Sequence, residues 1–169
     1  MYALITQNNE ISQIGPLTAL FPDNPTPLNA MAHGAREVVD GHREDERFYW
    51  VTFDKYVVGP TVVTREFINT PKALEDVTQT PEGATEPVTT LGLKSQWIAQ
   101  FKAAAGSALA QTDWMVIRKM ERGVDIPADV AAKRAAILAE CDQKIAAVTA
   151  AQTMPEFIAV VAPKIEVTP

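Results

Sequence analysis

Few residues in this sequence have the types that reaction chemistry asks for, and they do not group. His33 and His42 are the only histidines, and Cys141 is the only cysteine. A zinc site takes three or four such ligands, mostly in closely spaced pairs, and here about a hundred residues separate thiol from imidazoles. Two histidines in loops of an acidic chain read as solvated groups. Cys141 falls on the apolar side of a long helical pattern, where a small buried thiol is the ordinary case, and no helix start nearby activates it. Carboxylates cluster at Glu44-Asp45-Glu46, in a charged connection that lacks the alternating ligands and closing glutamate of a calcium loop. Gly-x-Ser-x-Gly, phosphate-binding glycine loops and dinucleotide fingerprints do not occur. The expectation is a protein that is not an enzyme and holds no metal or cofactor.

Recognition chemistry has better candidates. Trp50 alternates with Tyr49 on a strand pattern, which predicts sheet core. Trp97 and Trp114 fall on consecutive helices. Either they pack together, with Trp114 in the core, or one of them anchors a protein contact, a role in which tryptophan is enriched. Arg118 and Arg134 flank the apolar stripe of their helices. Their stems would cover the stripe with the heads in water, or they would pair with Asp113 or Glu121 across the hairpin. Trp97, Trp114, Met115, Arg118 and Arg134 form the candidate partner-binding set.

The element that must position this set is a helical hairpin. Thr112 and Asp113 offer oxygens to the free N–H groups of a first turn, and Trp114, Ile117 and Met120 recur every three residues. Gly123 suits the left-handed end of a helix, with Arg118, Lys119 and Arg122 at the negative pole of its dipole. Pro127 suits a new first turn, and Val130, Arg134, Ile137, Cys141, Ile145 and Val148 step by three and four along a longer helix. A further helix is predicted from about 91 to 110. Thr153 and Glu156 make a capping box that opens a short last one.

Ahead of the helices, residues 1–77 read as β-rich. Tyr2–Thr6 and Ile11–Ile14 make a hairpin turned at Asn8-Asn9. A loop holding Pro16, Pro22, Pro25 and Pro27 follows, anchored by Leu17, Leu20 and Phe21. One helical turn then closes at Gly34, and strands cover Arg36–Val39, Phe48–Phe53, Lys55–Val58 and Thr61–Phe67. From Thr78 to Thr90 the composition turns to Thr, Gln, Pro, Glu and Gly, which reads as a linker. The predicted class is α+β: a small antiparallel β domain over 1–77, a linker over 78–90, a three- to four-helix domain over 91–162, and an extended tail over 163–169. The tail alternates apolar and polar residues, as an added edge strand would.

Hydrophobic content of 47% and charged content of 21% are globular averages. Formal charge is −6, and residues 1–80 carry eleven acidic against six basic side chains. That balance speaks against nucleic acid and against an anionic membrane as partners. One cysteine makes no internal disulfide, no apolar run reaches the roughly twenty residues of a membrane span, and Gln7-Asn8-Asn9-Glu10 breaks any signal-peptide core. A soluble protein of a reducing cytoplasm is expected. Much of the apolar content after residue 99 is alanine, which favours helix but buries little area, so the helical half relies on a neighbour.

Thr112-Asp113-Trp114, then Arg118, Glu121 and Gly123, then Pro127 and Arg134 resemble the C-terminal signature of tailed-phage tail fibre assembly proteins and related tail assembly chaperones. The likeness covers about residues 91–150. The Tyr2-Ala3-Leu4-Ile5 opening, the Pro-rich loop, the His33-to-Val39 segment and Val62-Val63-Thr64-Arg65 are laid out similarly. The resemblance implies a non-enzymatic protein that binds a tail fibre or receptor-binding protein and promotes its folding, trimerisation or attachment. It implies work in the host cytoplasm during assembly, with or without retention in the virion tail, and is compatible with a homo-oligomer. The alternative is a permanent connector of the tail, baseplate or fibre.

Overall fold

The computed structural model describes residues 1–162, and the expected edge strand over 163–169 lies outside them. The chain divides into two compact units, Met1–Pro71 and a second beginning at Lys72. The class is α+β, a five-stranded N-terminal sheet followed by C-terminal helices.

In the first unit β1 (Tyr2–Ile5) and β2 (Ile11–Gly15) form the predicted hairpin, and Asn9 takes a left-handed φ of 63° at its turn. The proline-rich stretch is not wholly irregular. A single turn, α1 (Leu17–Leu20), precedes α2 (Pro27–Ala32), where Thr26 accepts the Asn29 N–H and Pro27 gives up an N–H that the first turn leaves unpaired. Gly34, at φ 77°, turns the chain into β3 (Ala35–Asp40). β4 (Tyr49–Val58) and β5 (Val62–Pro71) complete the sheet in the order β2-β1-β3-β5-β4. The sheet is mixed rather than purely antiparallel. β3 and β5 pair in parallel from Glu37↔Val62 to Asp40↔Arg65, because β4, which lies between them in sequence, takes the outer edge. The buried side chains are Ala3, Ala30, Ala35, Phe48 and Val63, a thin core made largely of alanine.

Trp50 is not core: it is 62% exposed. It pairs with Thr70, whereas β3 accompanies β5 only as far as Arg65. The Trp50 end of the β4–β5 hairpin therefore projects past the third strand. Alternation had picked a face for Trp50, but that face has no third strand beside it.

The expected linker is also structured. Val77–Gln79 (β6) and Val88–Thr90 (β7) pair as a two-stranded antiparallel ribbon, with the Thr78 and Thr89 hydroxyls 2.8 Å apart and Gly83 at φ 83° in the turn. β-branched residues at both edges of the polar run supply the strands. Ahead of the ribbon, residues 73–76 are clasped to the start of α3 (Leu93–Ala110). Leu93 and Lys94 donate their N–H groups to the carbonyls of Ala73 and Leu74, and Gly92 donates to Asp76 Oδ1. These bonds satisfy donors that every helix start leaves free. A Cβ on Gly92 would lie 2.4 Å from the Glu75 carbonyl carbon, so the close approach requires glycine. Lys94, 7% exposed, pairs with Glu75 and also donates to the Thr149 carbonyl. The helical unit thus starts at Lys72, ahead of the ribbon.

α4 (Asp113–Arg122), α5 (Ala128–Ala150) and α6 (Met154–Val161) follow. Lys94 meets Thr149, Phe101 meets Lys144 and Leu109 meets Arg134, so α3 and α5 run antiparallel. The core sits at one end of this pair, where Leu93, Val148, Ala151, Met154 and Phe157 are buried. The capping box of Thr153 and Glu156 forms as expected. Among the described residues no helix is long and apolar enough to cross a membrane.

Candidate functional site

The far end of the α3–α5 pair carries α4, and one side chain fastens it. Arg134, on the second turn of α5, donates from Nη1 to the Leu109 carbonyl at 2.9 Å and to Thr112 Oγ1 at 2.6 Å. From Nη2 it donates to Asp113 Oδ1 at 2.8 Å. The guanidinium fork thereby ties the last turn of α3, the turn between the helices and the first residue of α4 to α5, and the Arg134 side chain is only 18% exposed. Thr112 Oγ1 donates in turn to the Leu109 carbonyl.

This arrangement corrects one expectation and selects between two others. Thr112 and Asp113 do not cap α4 with their side chains. Their oxygens are taken by Arg134, 22 and 21 positions later. Of the readings open for Arg134, pairing with Asp113 is the one observed. Helix-start rules see only the first turn, and a half-buried guanidinium from another helix offers those oxygens a stronger bond than a backbone N–H does.

α4 itself has no buried residue. Trp114 is 52% exposed and Met120 83%, with Ile117 also exposed between them. The expected core role of Trp114 is therefore corrected. It stands on the first turn with its indole in water on one side and the Arg118 guanidinium 4.9 Å from its ring centre. Arg118 Nε has no hydrogen-bond partner. Stacking on the indole orients the guanidinium without using its donors. Met115, half-buried, lies off this stripe. At the helix end Gly123 takes φ 66° and donates to the Lys119 carbonyl, the left-handed cap that the sequence predicts.

Trp97 and Trp114 do not pack together. Trp97 lies early in α3 with its ring 6.0 Å from Phe101 and 6.4 Å, edge-on, from the buried Phe157. Trp114 lies beyond the opposite end of α3, about 20 Å along the helix. Of the five candidates, Trp114 is exposed with the half-buried Arg118 stacked on it, Arg134 and Trp97 hold the structure, and Met115 sits between these roles.

Between α3 and α5 runs a shallow groove of about 190 Å³, lined by Phe101, Ala105, Ala108, Ile137, Cys141 and Lys144. Cys141 is half-buried in its wall rather than enclosed. At the rim Lys144 bonds Glu140, which holds that carboxyl below its ordinary range. In the first unit His33 contacts the Asn29 carbonyl and His42 pairs with Glu44. Among the described residues, no three His, Cys, Asp or Glu side chains gather as metal ligands. Glu44, Asp45 and Glu46 are partnered by His42, Arg47 and Arg43 respectively.

Sequence reasoning missed the clasp of residues 73–76 on α3 and the buried Lys94. The signal available was Gly92-Leu93-Lys94 itself, a glycine set directly before an apolar helix start. Comparison with known proteins finds no family model, no curated protein and no solved structure that matches this chain.

Proposed function

We propose that the protein is an assembly factor for a phage tail fibre, binding the fibre or another receptor-binding protein and promoting its folding, trimerisation or attachment. The observation that carries this reading is the use made of the residues in the Thr-Asp-Trp signature. Thr112, Asp113 and Arg134 form one fastening, and its product is a short helix that holds Trp114 out to solvent with Arg118 stacked on its ring. A stripe of large apolar side chains left uncovered on a small protein marks a place for a partner. Tryptophan and arginine are the residue types that most often carry binding energy there. The host cytoplasm is the proposed place of action.

Co-expression tests the reading. The fibre's trimer yield should rise when this chain is present, and mass spectrometry of purified particles should find the chain missing. Fixed copy number in particles with unchanged trimer yield identifies a permanent connector of the tail or baseplate instead. Failure to bind any fibre or tail protein refutes both.

A further inference from the structure

On α4, Trp114, Ile117, Arg118 and Glu121 fall at positions i, i+3, i+4 and i+7 and so share one face, with Met120 along one flank and Arg122 along the other. Trp114, Ile117, Arg118, Glu121 and Arg122 line a shallow depression of about 340 Å³. The charges around it are unevenly spent. Asp113 is held by Arg134 and Asp125 by Lys119, which removes two carboxylates from the balance. Arg118 is half-buried, with its unpaired Nε enclosed, so its Nη groups are the donors left to offer, and neither Arg118, Arg122 nor Glu121 makes an ion pair among the described residues. Two cations and one carboxylate are therefore left beside an apolar strip, on a chain whose formal charge is −6.

We propose that this face docks an acidic amphipathic helix of another protein. Such a helix brings large apolar side chains one turn apart against Trp114 and Ile117, and carboxylates to Arg118 and Arg122. A carboxylate fits the forked donors of an arginine stacked on an indole, whereas a basic segment meets two like charges. A second copy of this chain is the poorer occupant. Parallel pairing sets Arg118 and Arg122 each beside its own counterpart, and the antiparallel register that matches Arg118 to the other copy's Glu121 leaves Arg122 opposite Ile117 with no carboxylate. A helix of ten residues is also about 15 Å long, too short to bury the roughly 800 Å² per partner of a stable dimer. An interface of that size belongs to partners that meet and part. The proposal rests on the assembly-factor reading and names the chemistry of the segment bound.

The test is selection from a displayed library of helical peptides against the full chain, run in parallel on wild type and on the double variant Arg118→Glu, Arg122→Glu. Wild type should enrich peptides with Asp or Glu flanking apolar residues spaced three and four apart. Their affinity should fall at least about tenfold on Trp114→Ser and on the double charge reversal, and should weaken with salt. The double variant should enrich Lys and Arg instead. No enrichment, enrichment without acidic bias, or binding indifferent to Trp114→Ser overturns the proposal. So does a concentration-dependent dimer in sedimentation that Trp114→Ser abolishes, because the occupant is then a second copy. Thermal melts of each variant show that it is folded. Fibre trimer yield is read separately: a wild-type chain that selects acidic peptides but leaves yield unchanged refutes the assembly-factor reading and not the docking chemistry.

Discussion

Arg134→Ala should unfasten α4, and the cost can be worked from its bonds. The bonds to the Leu109 carbonyl and to Thr112 Oγ1 are part-buried, and each is worth about 1 kcal/mol net. The pair with Asp113, whose side chain is 54% exposed, adds at most about 0.5–1 kcal/mol after solvent screening. The Leu109 carbonyl also accepts the Thr112 N–H, so truncation does not leave it orphaned and no desolvation penalty is added. The sum is about 2–3 kcal/mol. For a unit of about a hundred residues that corresponds to a fall in Tm of roughly 10–20 °C. Arg134→Lys replaces the planar fork with one flexible ammonium and should recover no more than about 1 kcal/mol. Asp113→Asn should cost less than about 1 kcal/mol. The assay is urea unfolding of the three variants, with hydrogen exchange of the α4 amides to locate the loss. If Asp113→Asn costs as much as Arg134→Ala, the exposed ion pair holds the hairpin and the ranking of bonds is wrong. A loss below about 0.5 kcal/mol for Arg134→Ala refutes the fastening itself.

Three further outcomes are expected. Trp114→Ala should change stability by less than about 1 kcal/mol, while Phe157→Ala, fully buried beside Trp97, should cost about 3–5 kcal/mol; calorimetry of both separates surface from core. Gly92→Ala should destabilise by about 1–3 kcal/mol or more in urea unfolding, because the obstructing atoms at 2.4 Å are backbone that cannot rotate away. Glu156 accepts the backbone N–H groups of Gln152 and Thr153, which hold its carboxyl below 4.5, its ordinary value. Its stabilisation is therefore present above the unfolded value and lost as pH falls through the folded one, so wild-type Tm should drop more steeply below about pH 4.5 than that of Glu156→Gln.

How far the sequence carried depends on the range of the interaction concerned. Asn9, Gly34, Gly123 and the Thr153–Glu156 box behave as expected because their conformations are decided within four residues. Helical periodicity likewise located α3, α4 and α5 to within a residue or two. Periodicity orients a face without saying whether anything lies opposite, and so Trp50 and Trp114 read as core and are exposed. The oxygens of Thr112 and Asp113 looked like caps because the competing donor, Arg134, stands more than twenty positions away. Composition misled at 78–90, where Val77-Thr78-Gln79 and Val88-Thr89-Thr90 are too short to outweigh the polar run between them, yet pair once the run turns. The parallel pairing of β3 with β5 was hidden for a similar reason, since it follows from β4 taking the edge and not from any residue in β3.

The way α4 is mounted bears on how it can bind. A ten-residue helix with no buried residue is marginal in water by its own propensity. It is held at its start by Arg134 and closed at its end by Gly123, with Met115 and Arg118 half-buried in the turns between them and Trp114, Ile117 and Met120 left exposed. A partner laid along Trp114 and Ile117 would supply the apolar contacts those turns lack, so binding and completion of the helix draw on the same free energy. Arg134, without touching the partner, then sets how much of that energy must go into ordering α4 and how much remains as affinity. The same coupling keeps the encounter short. A face about 15 Å long that must also stabilise its own helix has little surplus, and release follows once the partner's segment finds a larger surface. On the proposed reading, a fibre subunit closing into its trimer would offer such a surface, so a short helix mounted in this way suits a factor that acts and departs better than it suits a connector that stays.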